Sequence, residues 1–146
     1  MPVTDDQVAT LRALLANDRE RHKRLYAGLD RAQVGKGYSA MIAASFGLAA
    51  TRRFGSGYTP GDIVTFVGDV RAKSEGVAED LDPDVAELLL NAVLGKASTR
   101  GMNREKKVIA EILLLAGLVV DEHFDDAGLD AFLADARKLA DQILGG

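Results

Sequence analysis

The chain has no cysteine and no tryptophan, and it carries only three prolines in 146 residues. Without cysteine there are no disulfides, thiolate metal sites or cysteine nucleophiles. That composition suits a reducing compartment, and a cytoplasmic location is the expectation. Long apolar runs are also missing. The longest, Ile112 to Val120, is nine residues, whereas a membrane-crossing helix needs about 20. Met1 to Asp6 is polar and acidic, unlike the basic-then-apolar start of a secretion signal. No membrane association is expected.

What is present points to a helical fold. A chain of 146 residues falls in the usual single-domain range of about 100–200. It can bury roughly two-thirds of its unfolded surface without a covalent or metal staple. Apolar residues recur at helical spacing nearly throughout, and no stretch alternates like a strand. The expectation is one all-α domain over residues 1–146, a bundle of about six helices with the fifth at its centre.

The first predicted helix runs from Asp5 to Asp30. Thr4 and Gln7 have capping-box spacing, and Asp5 and Asp6 suit the positive end of a helix dipole. Its stripe is Val8, Leu11, Leu15, Leu25 and Leu29, interrupted where Asp18 and His22 fall. Such a helix would be about 40 Å long, so its middle is expected at a surface or interface. Gly35 and Gly37 separate it from a second helix, Ser39 to Phe54. That helix has a bulky face (Met41, Ile42, Phe46, Leu48) and a small-residue face (Ala40, Ala43, Ala44, Gly47, Ala50).

The third and fourth helices open alike. Thr59 then Pro60, and Asp82 then Pro83, place a capping side chain before a proline at the first helical position. Ile63, Phe66, Val67 and Val70 form the third stripe; Val85, Leu88, Leu89, Ala92 and Val93 form the fourth. A fifth helix, Arg104 to Glu122, carries a broad apolar face of Val108, Ile109, Ile112, Leu113, Ala116, Val119 and Val120. Leu114, Leu115 and Leu118 add apolar surface opposite. A helix apolar all round is buried on every side, so it is either central or covered by a second chain. The sixth helix, Asp126 to Leu144, is regularly amphipathic.

Several groupings are candidates for chemistry. Asp18 and His22, four apart, share one helical face and resemble a carboxylate holding an imidazole; the plainer and preferred reading is a solvated pair. Asp121, Glu122, His123, Asp125 and Asp126 cluster carboxylates, but without the alternate ligands and glycine of a calcium loop, so they read as the start of the sixth helix. Gly35-Lys36-Gly37-Tyr38-Ser39 lacks the leading glycine, the hydroxyl residue and the preceding strand of a phosphate loop, and reads as an interhelical turn. Neither a cofactor nor a metal is expected.

Charge is uneven. Residues 1–58 hold nine Lys/Arg against five Asp/Glu, and residues 59–146 hold nine against seventeen. The basic segments are 19–24 (Arg19, Arg21, Lys23, Arg24) and 96–107 (Lys96, Arg100, Arg104, Lys106, Lys107). Together they would suit phosphates. The acidic third and fourth helices do not suit a recognition helix, so nucleic-acid binding is disfavoured. The leading functional expectation is a non-enzymatic interaction module that self-associates, as a homodimer, with Leu114, Leu115 and Leu118 as the interface. A nucleic-acid or phosphate-binding accessory role is the second reading. The third is a small-anion-binding or enzymatic fold, with a pocket formed by Tyr38, Arg52, Arg53, Phe54 and Tyr58. Aromatics beside arginines suit a planar anion.

Overall fold

The structure, a computed structural model, describes residues 2–30, 32, 34–55 and 57–145. Among these there are eight α-helices and a π-helical turn, with no strand. The helices are α1 (Asp5–Leu15), α2 (Arg19–Ala27), α3 (Ser39–Phe54), α4 (Pro60–Arg71), α5 (Glu75–Asp80), α6 (Pro83–Val93), α7 (Arg104–Glu122) and α8 (Asp126–Gly145). The π-helical turn, Val34–Tyr38, leads into α3. None of these helices is long and apolar enough to cross a membrane. The chain divides into two compact units, Met1–Ser45 with Glu122–Gly146, and Phe46–Asp121.

The all-helical expectation holds, but six helices become eight among the described residues. The long first helix is two. α1 closes at Ala16, Asn17 takes a left-handed φ of 60°, and Asp18 starts α2 by accepting a hydrogen bond from the Arg21 amide. Asparagine tolerates that conformation better than most residues, and aspartate is a strong N-cap. The break falls where the apolar stripe lapsed. The second addition is α5, six residues capped by Ser74.

In the first unit, α1 packs against α2, α8 and the π-helical turn. Its capping box forms as expected, with Thr4 and Gln7 each satisfying the other's backbone amide. Leu11 and Ala13 of α1, and Leu129, Phe132, Leu133, Ala136 and Ala140 of α8, are buried. Polar contacts fix the register of α1 on α8. Arg12 meets Asp130 at 2.6 Å, Arg137 meets Asp5 at 2.7 Å, and the Val3 amide donates to Asp141 at 2.7 Å. Exposed ion pairs each contribute at most about 1 kcal/mol, so burial holds the unit and the pairs choose its register. Gly37 lies so close to the buried Gln7 side chain that a Cβ there would overlap it.

In the second unit, α4 packs against α5 and α6. Thr59 and Asp62 form a capping box with Pro60 at the first turn, and Asp82 caps α6 before Pro83. Ile63, Phe66, Val67 and Val70 are all buried, as their spacing indicated. Arg71 donates to the Leu81 and Ala78 carbonyls at 2.9 and 3.0 Å, closing the C-terminal end of α5. On α6, Leu89 and Leu90 are buried on the expected apolar side together with Ala86, while Leu88 is exposed.

Helix α7 corrects the expectation of a central fifth helix. Ile109 and Val120 are 37% and 53% exposed, so one side lies at the surface. The other side is buried, and it includes Glu111 at 6% exposure. Burial pushes the Glu111 carboxyl above its ordinary value, against the opposing pull of Lys107.

Candidate functional site

A cleft in the second unit grows from the junction of α3 and α4. α3 ends in Arg52, Arg53 and Phe54, cations at the negative end of its dipole. Gly57, with a φ of 71°, turns the chain, and Tyr58 leads to the Thr59 cap. α4 then presents Asp62, Thr65 and Asp69 along one face, with spacings of three and four. Phe66 lies beside them. These residues enclose a cleft of about 280 Å³ lined by Arg53, Phe54, Gly57, Tyr58, Asp62, Thr65, Phe66 and Asp69.

The floor is aromatic. Phe54 meets Tyr58 and Phe66 edge-on, with ring centres 6.1 and 5.6 Å apart. Phe54 and Phe66 are buried, at 3% and 4% exposure. Arg53 covers part of both rings and reaches Asp121, where its guanidinium lies 3.4 Å from a carboxylate oxygen. The guanidinium is thus shared between the two ring faces and one long, partly exposed ion pair. One oxygen of Asp62 accepts from the Thr59 amide. Asp69 has no ion-pair partner among the described residues. The cleft thus combines an apolar floor, a guanidinium already partnered, and a surplus of carboxylate.

The predicted pocket is assembled in part. Arg53, Phe54 and Tyr58 converge, whereas Arg52 does not line the cleft. Tyr38 belongs to the other unit. It is 5% exposed, its ring meets Tyr26 edge-on at 6.0 Å, and its hydroxyl has no hydrogen-bond partner among the described residues. The sequence reading missed Asp62, Thr65, Phe66 and Asp69. Phe66 belongs to the third predicted helix's apolar stripe, and the polar repeat Asp62, Thr65, Asp69 at helical spacing is the signal for the others.

The remaining candidates sit as follows. The Asp18 carboxylate is occupied in capping α2, and the His22 ring faces Tyr26 at 5.8 Å. Asp125 caps α8 through the Gly128 amide at 2.6 Å. Among the described residues no group of three or more His, Cys, Asp or Glu is placed to hold a metal. Arg19, Arg21, Lys23 and Arg24 are exposed on α2, and the 96–107 segment lies in the other unit. Leu114, Leu115 and Leu118 are 0%, 0% and 2% exposed, so the chain itself covers them. A cleft of about 370 Å³ in the first unit is lined by Thr4, Gln7, Lys36 and Gly37 among others. Thr4 and Gln7 are already engaged there with each other's backbone.

No protein-family model, curated protein or solved structure matches this chain.

Proposed function

We propose that the chain is a non-enzymatic binding module whose ligand is a small organic cation with a flat apolar body. One observation carries the reading: Asp62 and Asp69 flank an aromatic floor whose own cation, Arg53, is drawn toward Asp121. An ammonium group would be held by the two carboxylates while its apolar part covers Phe66 and Tyr58. At about 280 Å³ the cleft is at the small end of ligand sites, which run from roughly 300 Å³ upward. The lining has no imidazole or amine to pair with a nucleophile, which favours binding over catalysis. A cytoplasmic setting is part of the same proposal, on the cysteine-free composition.

Isothermal titration calorimetry with phenethylamine and phenylacetate tests it. The two share a ring and differ in charge. Phenethylamine is expected to bind with a Kd on the order of a millimolar, as befits a ligand of so few atoms. Phenylacetate is expected to bind at least about tenfold more weakly, and Asp69→Asn to weaken the amine by a similar factor, about 1.4 kcal/mol. Equal affinity for both, or no effect of Asp69→Asn, removes the reading.

Self-association remains as a second reading. The surface that favours it is the outward side of α7, and not the three leucines first expected there.

A further inference from the structure

The cleft that carries the proposed function has a neighbour in its own unit. A second cleft, of about 430 Å³, is lined by Gly55, Gly57, Tyr58, Pro60, Asn91 and Lys96. Gly57 and Tyr58 line both, so the two clefts adjoin at the turn between α3 and α4. Their charges differ. The first holds Asp62 and Asp69. The lining of the second has no carboxylate and carries one cation, Lys96.

A local motif places Lys96. α6 ends at Val93, and Gly95 takes a φ of 81°. The Gly95 amide donates to the Ala92 carbonyl at 3.1 Å, and the Lys96 amide donates to the Asn91 carbonyl at 2.7 Å. This is the Schellman closure of a helix, which favours glycine at the left-handed position. The Lys96 side chain is exposed and has no ion-pair partner among the described residues. The Asn91 side-chain amide donates one hydrogen to the Glu87 carbonyl at 2.9 Å and has a second to give. The Tyr58 hydroxyl is buried without a hydrogen-bond partner among the described residues, whereas a buried hydroxyl is ordinarily paired. A free ammonium, a spare amide hydrogen and an unpaired hydroxyl are all donors that a carboxylate accepts from.

We propose that the second cleft takes a carboxylate, and that the ligand of the joined site is a zwitterion with its two charges at opposite ends of a flat apolar body. The proposal rests on the cation reading of the first cleft. The ammonium lies at Asp62 and Asp69, the body covers Tyr58, and the carboxylate reaches Lys96 and Asn91. The position of the negative charge then decides affinity. Beside the ammonium it faces Asp62 and Asp69 and is repelled; at the far end it faces Lys96 and is attracted.

Isothermal titration calorimetry of the full chain with three probes built on one ring tests this. Phenethylamine has the ammonium alone. Free phenylalanine adds a carboxylate next to it, and para-(aminoethyl)benzoate adds one across the ring. The benzoate is expected to bind about fivefold tighter than phenethylamine, as one partly exposed ion pair allows. Phenylalanine is expected to bind more weakly than phenethylamine. Lys96→Gln is expected to remove the gain of the benzoate, with a thermal melt matching the parent because Lys96 is exposed. No gain for the benzoate, a gain matched by phenylalanine, or a gain that survives Lys96→Gln overturns the zwitterion and leaves the cation reading in place. Failure of phenethylamine itself to bind overturns both.

Discussion

The guanidinium carbon of Arg53 lies 5.7 Å from the centre of the Phe66 ring, and 5.8 Å from that of Phe54. Adjacent residues on α3 thus stack on one another and on α4 at the same point. The two contributions differ greatly in size. Arg53 is about half exposed and its ion pair with Asp121 is long at 3.4 Å, so Arg53→Ala is expected to cost less than about 1 kcal/mol. Phe66 is 4% exposed, and Phe66→Ala is expected to cost about 3–5 kcal/mol. Denaturant melts of the two variants check the order; a larger loss for Arg53→Ala would contradict it.

Gly117 of α7 is a packing requirement. A Cβ there would sit 2.8 Å from a methyl carbon of Val70 and 3.6 Å from Phe66. Alanine is favoured over glycine in a helix by up to about 1 kcal/mol, but valine is stiff and yields little. Gly117→Ala is expected to destabilise by about 1–3 kcal/mol. In a Val70→Ala background the clash disappears, and the same change is expected to be neutral or stabilising. A double-mutant cycle by denaturant melts reads this change of sign, and additive effects would contradict it.

Glu111 makes stability depend on pH. Burial raises its carboxyl above the ordinary 4.5, so the folded state holds that proton more tightly than the unfolded state does. Below the unfolded value both states are protonated and the residue carries no penalty. As pH rises from there through the raised folded value, stability is lost, and the loss levels off above it. Glu111→Gln is therefore expected to match the parent near pH 3 and exceed it at pH 7. Melts of both proteins across pH 3–8 check the difference curve; a flat difference would contradict the assignment.

Tyr38 buries its hydroxyl without a hydrogen-bond partner among the described residues. An unpaired buried hydroxyl costs about 1–3 kcal/mol. Tyr38→Phe is expected to be more stable than the parent by roughly 1 kcal/mol. Burial, with a smaller contribution from Tyr26, also raises the Tyr38 phenol, so its ionisation in an alkaline titration is expected above the ordinary tyrosine value. A loss of stability in Tyr38→Phe would mean the hydroxyl has a partner in solution.

The sequence made some of this legible and hid the rest for identifiable reasons. Capping signals are local, and Thr4, Thr59 and Asp82 each start a helix as their neighbours indicated. The break at Asn17 was hidden because a continuous 3.6-residue period tolerates two interrupted turns. The faces of α7 were exchanged because both are apolar. Periodicity shows that a stripe exists, and only long-range packing decides that Leu114, Leu115 and Leu118 go inside while Ile109 and Val120 stay out. The cleft was half visible for a similar reason. Arg53, Phe54 and Tyr58 are close in sequence, whereas Asp69 reaches them because α4 carries it about three turns past its Thr59 cap.

The most direct test is an amide NMR titration of the full chain with phenethylamine, and in parallel with phenylacetate. With the amine, shifts are expected to concentrate at Arg53, Phe54, Tyr58, Asp62, Phe66 and Asp69, and to be much smaller with the acid at equal concentration. Shifts elsewhere in the chain, or a stronger response to phenylacetate at the same residues, would contradict a cation-binding cleft.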